Sequence, residues 1–234
     1  PNPSRLDILF ATWLFAIQIY CDFSGYTDIA RGIAKMLGFK LMRNFAQPYF
    51  SANPQEFWRK WHISLSTWLR DYLYISLGGN RGGARKTYRN LLLTMTLGGL
   101  WHGAAWNFVA WGVYPGALLA THRFYEGTRT KVVQSWGVFA AIKRVVLVAV
   151  FFQVVRYGWL LFRAGSMGQI ADCTARLVGA TQTAWDVSIA APPISAILGI
   201  VALIVWDLCI EISDNVRFYE RAPAVVRAGL SAGM

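Results

Sequence analysis

Residues 91–120, LLLTMTLGGLWHGAAWNFVAWGVYPGALLA, contain no Asp, Glu, Lys or Arg, yet a histidine, His102, sits near the middle. A helix needs only about 20 apolar residues to cross roughly 30 Å of hydrocarbon, so this run is longer than one span requires. Gly98, Gly99, Gly103 and Pro115 interrupt it. It is therefore either one tilted helix or two shorter pieces that meet at depth. An ionisable side chain at that depth is costly and by default marks a functional site. The structural alternative is a neutral imidazole hydrogen-bonded between helices. What histidine adds is a proton acceptor with an ordinary pKa near 6.5, able to take the proton of a hydroxyl that attacks an acyl carbonyl.

The rest of the chain is of the same kind. Its 234 residues are 55% hydrophobic and 15% aromatic, with eleven Trp and a mean hydropathy of +0.35. That is too apolar for an ordinary soluble domain. Residues 187–206 form a second uncharged run long enough to span a bilayer, and residues 145–162 form a third, interrupted only by Arg156. Residues 8–21 are shorter, a length that suits a buried or re-entrant helix as well as a span. No repeat or low-complexity linker appears, so residues 1–234 read as a single membrane domain. Barrel strands would be short and alternating, which leaves an all-α, polytopic integral membrane helical bundle with re-entrant and interfacial helices. The chain opens at Pro1 without a signal peptide pattern and reads as a piece of something longer.

A net charge of +11 suggests nucleic acid, but the basic residues fall between apolar runs and form no compact basic domain, so no nucleic-acid partner is expected. Membrane loops explain them more simply. Arg81, Arg85, Lys86 and Arg89 mark a cytoplasmic loop under the positive-inside rule. Arg123, Arg129, Lys131, Lys143 and Arg144 form a second basic stretch beyond the uncharged run. Both can be cytoplasmic only if residues 91–120 enter and return. Cys21, Cys173 and Cys209 are far apart, and with no C-x-x-C pair they read as packing residues; no metal site is expected.

Two polar segments precede the uncharged run. In residues 56–77, EFWRKWHISLSTWLRDYLYISL, Trp58, Trp61, Leu65, Trp68 and Tyr72 recur at helical steps, while Arg59, His62, Ser66 and Arg70 recur on another face. Such a helix either lies at the membrane interface or turns its polar stripe, His62 included, toward a tunnel. Residues 22–28, DFSGYTD, imitate a calcium loop, but Thr27 and Ile33 stand where that loop needs glycine and glutamate. Asp28 instead pairs with Arg31, while Asp22 has no obvious partner. Residues 78–83, GGNRGG, lack the lysine and serine spacing of a phosphate loop and read as a turn. His122, beside Arg123, reads as an ordinary interfacial residue.

Taken together, CDFSGYTDIARGIAKMLGF, NPQEFWRKWHISLSTWLRDYLYISLGGNR and LWHGAAWNFVAWG resemble the membrane-bound O-acyltransferase (MBOAT) family. They look most like its bacterial alginate O-acetyltransferase branch, and WLLFRA at 159–164 continues the match more weakly. The resemblance implies that His102 is the family's active-site histidine and His62 its second motif residue, the two meeting across a tunnel. It also implies a tunnel lined from Asp22, Ser24, Tyr26, Asp28, Arg59, Ser66, Arg70, Asp71, Asn80, Arg81, Trp101, Trp106 and Asn107. The implied reaction passes an acetyl group from a cytoplasmic thioester, acetyl-CoA or another, across the bacterial inner membrane. The implied acceptor is an exopolysaccharide such as alginate or another cell-envelope glycan, modified with a separate periplasmic acetyltransferase as partner. No bound cofactor is expected. Family members carry further helices before residue 8 and usually one after the present end, so the chain is expected to be the C-terminal portion of a core. Two rivals stand beside this reading. One is a haem carrier with His62 and His102 as axial ligands, though nothing else resembles a cytochrome. The other is a noncatalytic transporter or flippase subunit for an acyl carrier, with the histidines as a proton relay.

Overall fold

The computed structural model describes residues 3–128, 137–179 and 192–213, and the regular structure among them is helical throughout. Arg129 and Lys131, the first residues of the 187–206 run and most of the chain after Glu211 lie outside the described residues. The chain divides into two compact units, Pro1–Ala190 and Ala191–Met234.

Helix α1, Arg5–Met36, starts at a capping box: the Ser4 hydroxyl accepts from the Asp7 amide at 3.1 Å, and the Asp7 carboxylate accepts from the Ser4 amide at 2.9 Å. It continues for 32 residues, so the apolar run 8–21 is part of a span-length helix rather than a short buried one. DFSGYTD is helical within it, and Asp28 meets Arg31 at 2.8 Å as their spacing predicts. Cys21 is exposed on this helix, so it is not a packing residue.

The run 91–120 is a helical hairpin, which decides between the two readings of its length. Helix α4, Ala84–His102, ends at Gly103, and α5, Trp106–Thr128, returns along it. Their backbones touch. A Cβ added at Gly112 would stand 2.5 Å from the Met95 carbonyl oxygen and 2.8 Å from Thr96 Cα; one at Gly99 would collide with the Phe108 carbonyl oxygen. Gly116 approaches Leu92 in the same antiparallel register, and Tyr88 meets Phe124 near the open end, ring centroids 6.4 Å apart. The Arg85–Arg89 cluster and Arg123 therefore share one end of the hairpin.

Helices α2, Pro54–Lys60, and α3, Ile63–Trp68, followed by a π-helical segment, Leu69–Tyr74, lie between α1 and the hairpin in sequence. The turn after them uses Gly78, Gly79, Gly82 and Gly83 at positive φ, the backbone freedom expected of GGNRGG. The fully buried Asn90 amide holds this turn by donating to the carbonyls of Leu77 and Gly79, both at 3.0 Å. Helix α6, Val138–Arg163, packs on α1 and α5. Arg156 donates to the Thr12 hydroxyl at 2.8 Å, Tyr114 donates to the Val154 carbonyl at 2.9 Å, and Asn107 donates to the Ala164 carbonyl at 3.0 Å. Helix α7, Met167–Val178, completes the unit.

The second unit holds α8, Ile194–Ser213. Like α1 and α6, this helix is long and apolar enough to cross a membrane.

The glycine contacts make a direct prediction. Gly112→Ala should cost about 1–3 kcal/mol, because a methyl there meets backbone that cannot rotate away. The apparent melting temperature of the purified full-length protein should fall, and Val113→Ala, at an exposed position on the same helix, should leave it nearly unchanged.

A candidate active site between two histidines

Residues 56–77 do not form one helix. His62 has left-handed backbone angles, φ 42° and ψ 57°, which end the turn of α2 and begin α3 on a new axis. The 3.6-residue register is lost there, and with it the expected polar stripe. His62 parts from Arg59, Ser66 and Arg70 and joins Trp58, Trp61 and Leu65 instead. Trp68 and Tyr72, expected on the aromatic face, are exposed, with ring centroids 5.6 Å apart.

The segment is anchored from outside. Glu56 accepts two hydrogen bonds from Arg144 of α6, at 3.0 and 2.5 Å, and one from the Ala52 amide at 2.9 Å. Burial pushes the Glu56 carboxyl up, but these donors outweigh it and hold the pKa below the ordinary carboxylate value.

His62 and His102, forty positions apart in sequence, line one cavity of about 300 Å³. Its wall is otherwise apolar and aromatic, with Phe23 from α1, Trp58 and Trp61 from α2 and its end, Trp111 from α5, and Trp159 and Phe162 from α6. His102 occupies the last position of α4, where Gly103 lets the chain turn. Its ring packs edge-on against Trp111 and Phe162, centroids 5.0 and 5.2 Å apart. His62 packs edge-on against Phe23 at 4.6 Å. Among the described residues neither imidazole is hydrogen-bonded to backbone or to another side chain, so the nitrogens of both are free to meet a substrate. Burial, with the charge of His102 added, pushes His62 down to about 4, which keeps it neutral near pH 7.

A second pocket, about 420 Å³ and more polar in its lining, shares Trp58, Leu69 and Met95 with the histidine cavity. Arg59, Ser66, Arg70 and Asn80 line it, as expected of tunnel residues, together with Arg123, His122 and Glu126. A third, more open recess shares Ile19, Phe23 and Phe162 with the cavity on another side and is bordered by Gln18, Asp22 and Tyr26. Trp101 lines the histidine cavity itself.

Six expected tunnel residues stand elsewhere. Ser24 bonds the Cys21 carbonyl of its own helix at 3.4 Å; Asp28 is exposed with Arg31; Asp71 is exposed and paired with Arg70 at 2.7 Å. Arg81 and Trp106 are exposed. Asn107 is buried, but its amide is spent on the Ala164 carbonyl. In each case a local or interhelical partner, or solvent, claims the side chain. Conversely, Phe23, Trp111, Trp159 and Phe162 all sit inside the quoted motifs, yet nothing in their local spacing marks them as cavity residues. His122 reads from sequence as interfacial and Arg123 as part of a basic loop; only the return of the hairpin brings them beside Thr87 and Arg59.

The sequence matches the membrane-bound O-acyltransferase family over residues 8–161. It is 50% identical over 169 residues to the probable alginate O-acetylase AlgI of Azotobacter vinelandii, covering 71% of this chain and 32% of that protein. With the probable alginate O-acetylase AlgI of Pseudomonas aeruginosa it shares 49% over 168 residues, 71% of this chain and 30% of the relative. With the peptidoglycan O-acetyltransferase of Helicobacter pylori it shares 39% over 165 residues, 70% and 30% of the two chains. The chain thus spans about a third of the length of the curated relatives it matches. Half of the residues that line the cavity come from α1 and the segment before α4, the rest from the hairpin and α6, and the match over residues 8–161 takes in all of them but Phe162: the chain belongs to the membrane-bound O-acyltransferase family.

Proposed function

We propose that the chain carries the acyl-transfer centre of a membrane-bound O-acetyltransferase that modifies a cell-envelope polysaccharide. The observation that carries this reading is that His62 and His102, free of other partners among the described residues, meet in one aromatic cavity. His102 acts as general base. It takes the proton of an acceptor hydroxyl as that oxygen attacks the thioester carbonyl carbon; the C–S bond then breaks, and the proton passes to the departing sulfur. His62, neutral, donates or accepts a hydrogen bond that orients a substrate in the cavity.

The donor is a cytoplasmic thioester such as acetyl-CoA. Its phosphates suit the polar pocket, where Arg59, Arg70 and Arg123 supply guanidinium groups matched to phosphate oxygens. Its uncharged acyl end suits the apolar cavity beyond Trp58 and Leu69. This puts the open end of the α4–α5 hairpin at the cytoplasmic face, in accord with its basic residues. The acceptor approaches by the recess at Gln18, Asp22 and Tyr26, whose side chains offer hydrogen bonds to sugar hydroxyls. The setting is the bacterial inner membrane, crossed several times. The acceptor is alginate or a related glycan, reached with a periplasmic acetyltransferase as partner. Relatives named for alginate and for peptidoglycan O-acetylation support the polysaccharide class.

Two measurements test it in the full-length parent protein. His102→Ala should lower O-acetyl ester on cell-surface polysaccharide by at least about 100-fold, the range for loss of a general base, with the protein still abundant in membranes. Wild-type acetylation in that variant would sink the reading. Arg59→Glu combined with Arg123→Glu should raise the KM for acetyl-CoA about 10-fold or more, as expected when charge-assisted bonds to phosphate are lost, with a smaller change in kcat. An unchanged KM would move the donor to another opening.

A further inference from the structure

His62 occupies the N-cap of α3, a position where a side chain normally bonds the first free amides of its helix. It makes no such bond. The amides are taken up instead by Asn44, which belongs to the irregular stretch between α1 and α2. The Asn44 carbonyl accepts from the Ile63 amide at 3.0 Å, and Asn44 Oδ1 accepts from the Ser64 amide at 3.0 Å. Two residues on, the Ala46 amide donates to the Lys60 carbonyl at 3.0 Å, so the stretch 44–46 bridges the break between α2 and α3 from one side to the other. Between these two anchors Phe45 is buried, its ring 4.9 Å from Trp61 and stacked at 6.4 Å on the His62 ring.

This arrangement answers two local problems at once. A left-handed residue other than glycine is strained and persists only where its surroundings determine it. A helix start without a side-chain cap leaves amides that must find acceptors. Asn44 supplies the acceptors from outside, and so frees the His62 side chain from the helix end. The imidazole is then available to the cavity that it shares with His102. Alternatives that cap the helix from within, with Ser, Thr or Asp at position 62, would spend the side chain on the backbone.

We infer that Asn44 is a positioning residue for acyl transfer: it caps α3 in place of His62 and thereby holds the His62 imidazole in the cavity. The inference rests on the proposed acyl-transfer role of that cavity.

The experiment compares Asn44→Ala, Asn44→Asp and His62→Ala, singly and with Asn44→Ala and His62→Ala combined, in the full-length protein. His102→Ala serves as the control on the reaction itself. Asn44→Ala should lower kcat about 10-fold, a loss typical of a misplaced reacting group, with the KM for the thioester within about twofold. Asn44→Asp should restore most of the rate, because its carboxylate still accepts from the Ser64 amide. In the His62→Ala background, Asn44→Ala should cost nothing further. An equal loss with and without His62, or no rescue by Asp, would overturn the inference and reduce Asn44 to a folding role.

A readout apart from turnover is the rate at which diethyl pyrocarbonate modifies His62, followed by peptide mass spectrometry. Asn44→Ala should change this rate at least about threefold and Asn44→Asp should return it, an expectation set by movement of the ring out of its seat. An unchanged rate in Asn44→Ala would overturn the positioning claim whatever the activity. If His102→Ala keeps full activity while the modification rate responds as stated, the acyl-transfer reading fails and the capping geometry stands.

Discussion

The backbone contact between α4 and α5 at Gly99 and Gly112 is the constraint on which the site depends. In lipid, burying apolar side chains gives little drive for two helices to associate, because the tails are as apolar as the side chains. Close backbone approach replaces it. Here Gly112 lies against Met95 and Thr96, and Gly99 against Phe108, at separations that leave no room for even a methyl group. This locks the depth of α4 against α5, and so fixes where α4 ends. Because it ends at His102, with Gly103 making the turn, the imidazole is delivered beside Trp111 on the returning helix. Asn107 then ties the start of α5 to Ala164 at the end of α6, whose Trp159 and Phe162 close the cavity from a third side.

The second histidine arrives by a different device. His62 comes from a segment that breaks where it reaches the site, and the break sorts its side chains. Trp58, Trp61, His62 and Leu65 turn to the apolar cavity; Arg59, Ser66 and Arg70 turn to the polar pocket. Trp58 and Leu69 stand in the wall between the two, so one short stretch of chain separates a charged compartment from an uncharged one. An uninterrupted helix would carry His62 with the arginines, at the cost of the imidazole's dry surroundings.

These two devices differ in how far the sequence reveals them. The hairpin was half legible: the glycines and the excess length of residues 91–120 marked an interruption, and two basic stretches favoured a return. They could not separate a return from one tilted helix, because that depends on which glycines meet, a tertiary fact. The meeting of His62 and His102 came from resemblance rather than spacing. The stripe predicted over residues 56–77 failed because counting at 3.6 assumes unbroken φ and ψ, and nothing in the letters KWHIS announces a left-handed residue. The capping partner, Asn44, lies eighteen positions upstream. Short-range features fared better: the pair Asp28 and Arg31 and the positive-φ turn at GGNRGG are where their neighbours predict. Asp71 and Asn107 were assigned to the tunnel from motif membership alone, and each is claimed by a partner, Arg70 and Ala164, that motif membership does not disclose.

The separation of compartments bears on how the proposed reaction avoids hydrolysis of its donor. A thioester held near a neutral imidazole is as open to activated water as to a sugar hydroxyl, so the site has to control which oxygen reaches His102. Away from the two imidazoles the cavity wall is mainly aromatic and aliphatic, and it would hold water poorly there, since a buried water needs two or more polar partners. A polyanionic donor would stop at Arg59, Arg70 and Arg123, since taking its phosphates further means stripping them of both solvent and countercharge. In the proposed reaction only its uncharged acyl end would pass Trp58 and Leu69. The proposed acceptor, held through its hydroxyls at Gln18, Asp22 and Tyr26, would need to present a single oxygen past Phe23 to meet it. In the proposed arrangement selectivity against water would come from the apolar wall around the histidines, and affinity for each substrate from polar groups set outside the place where bonds change.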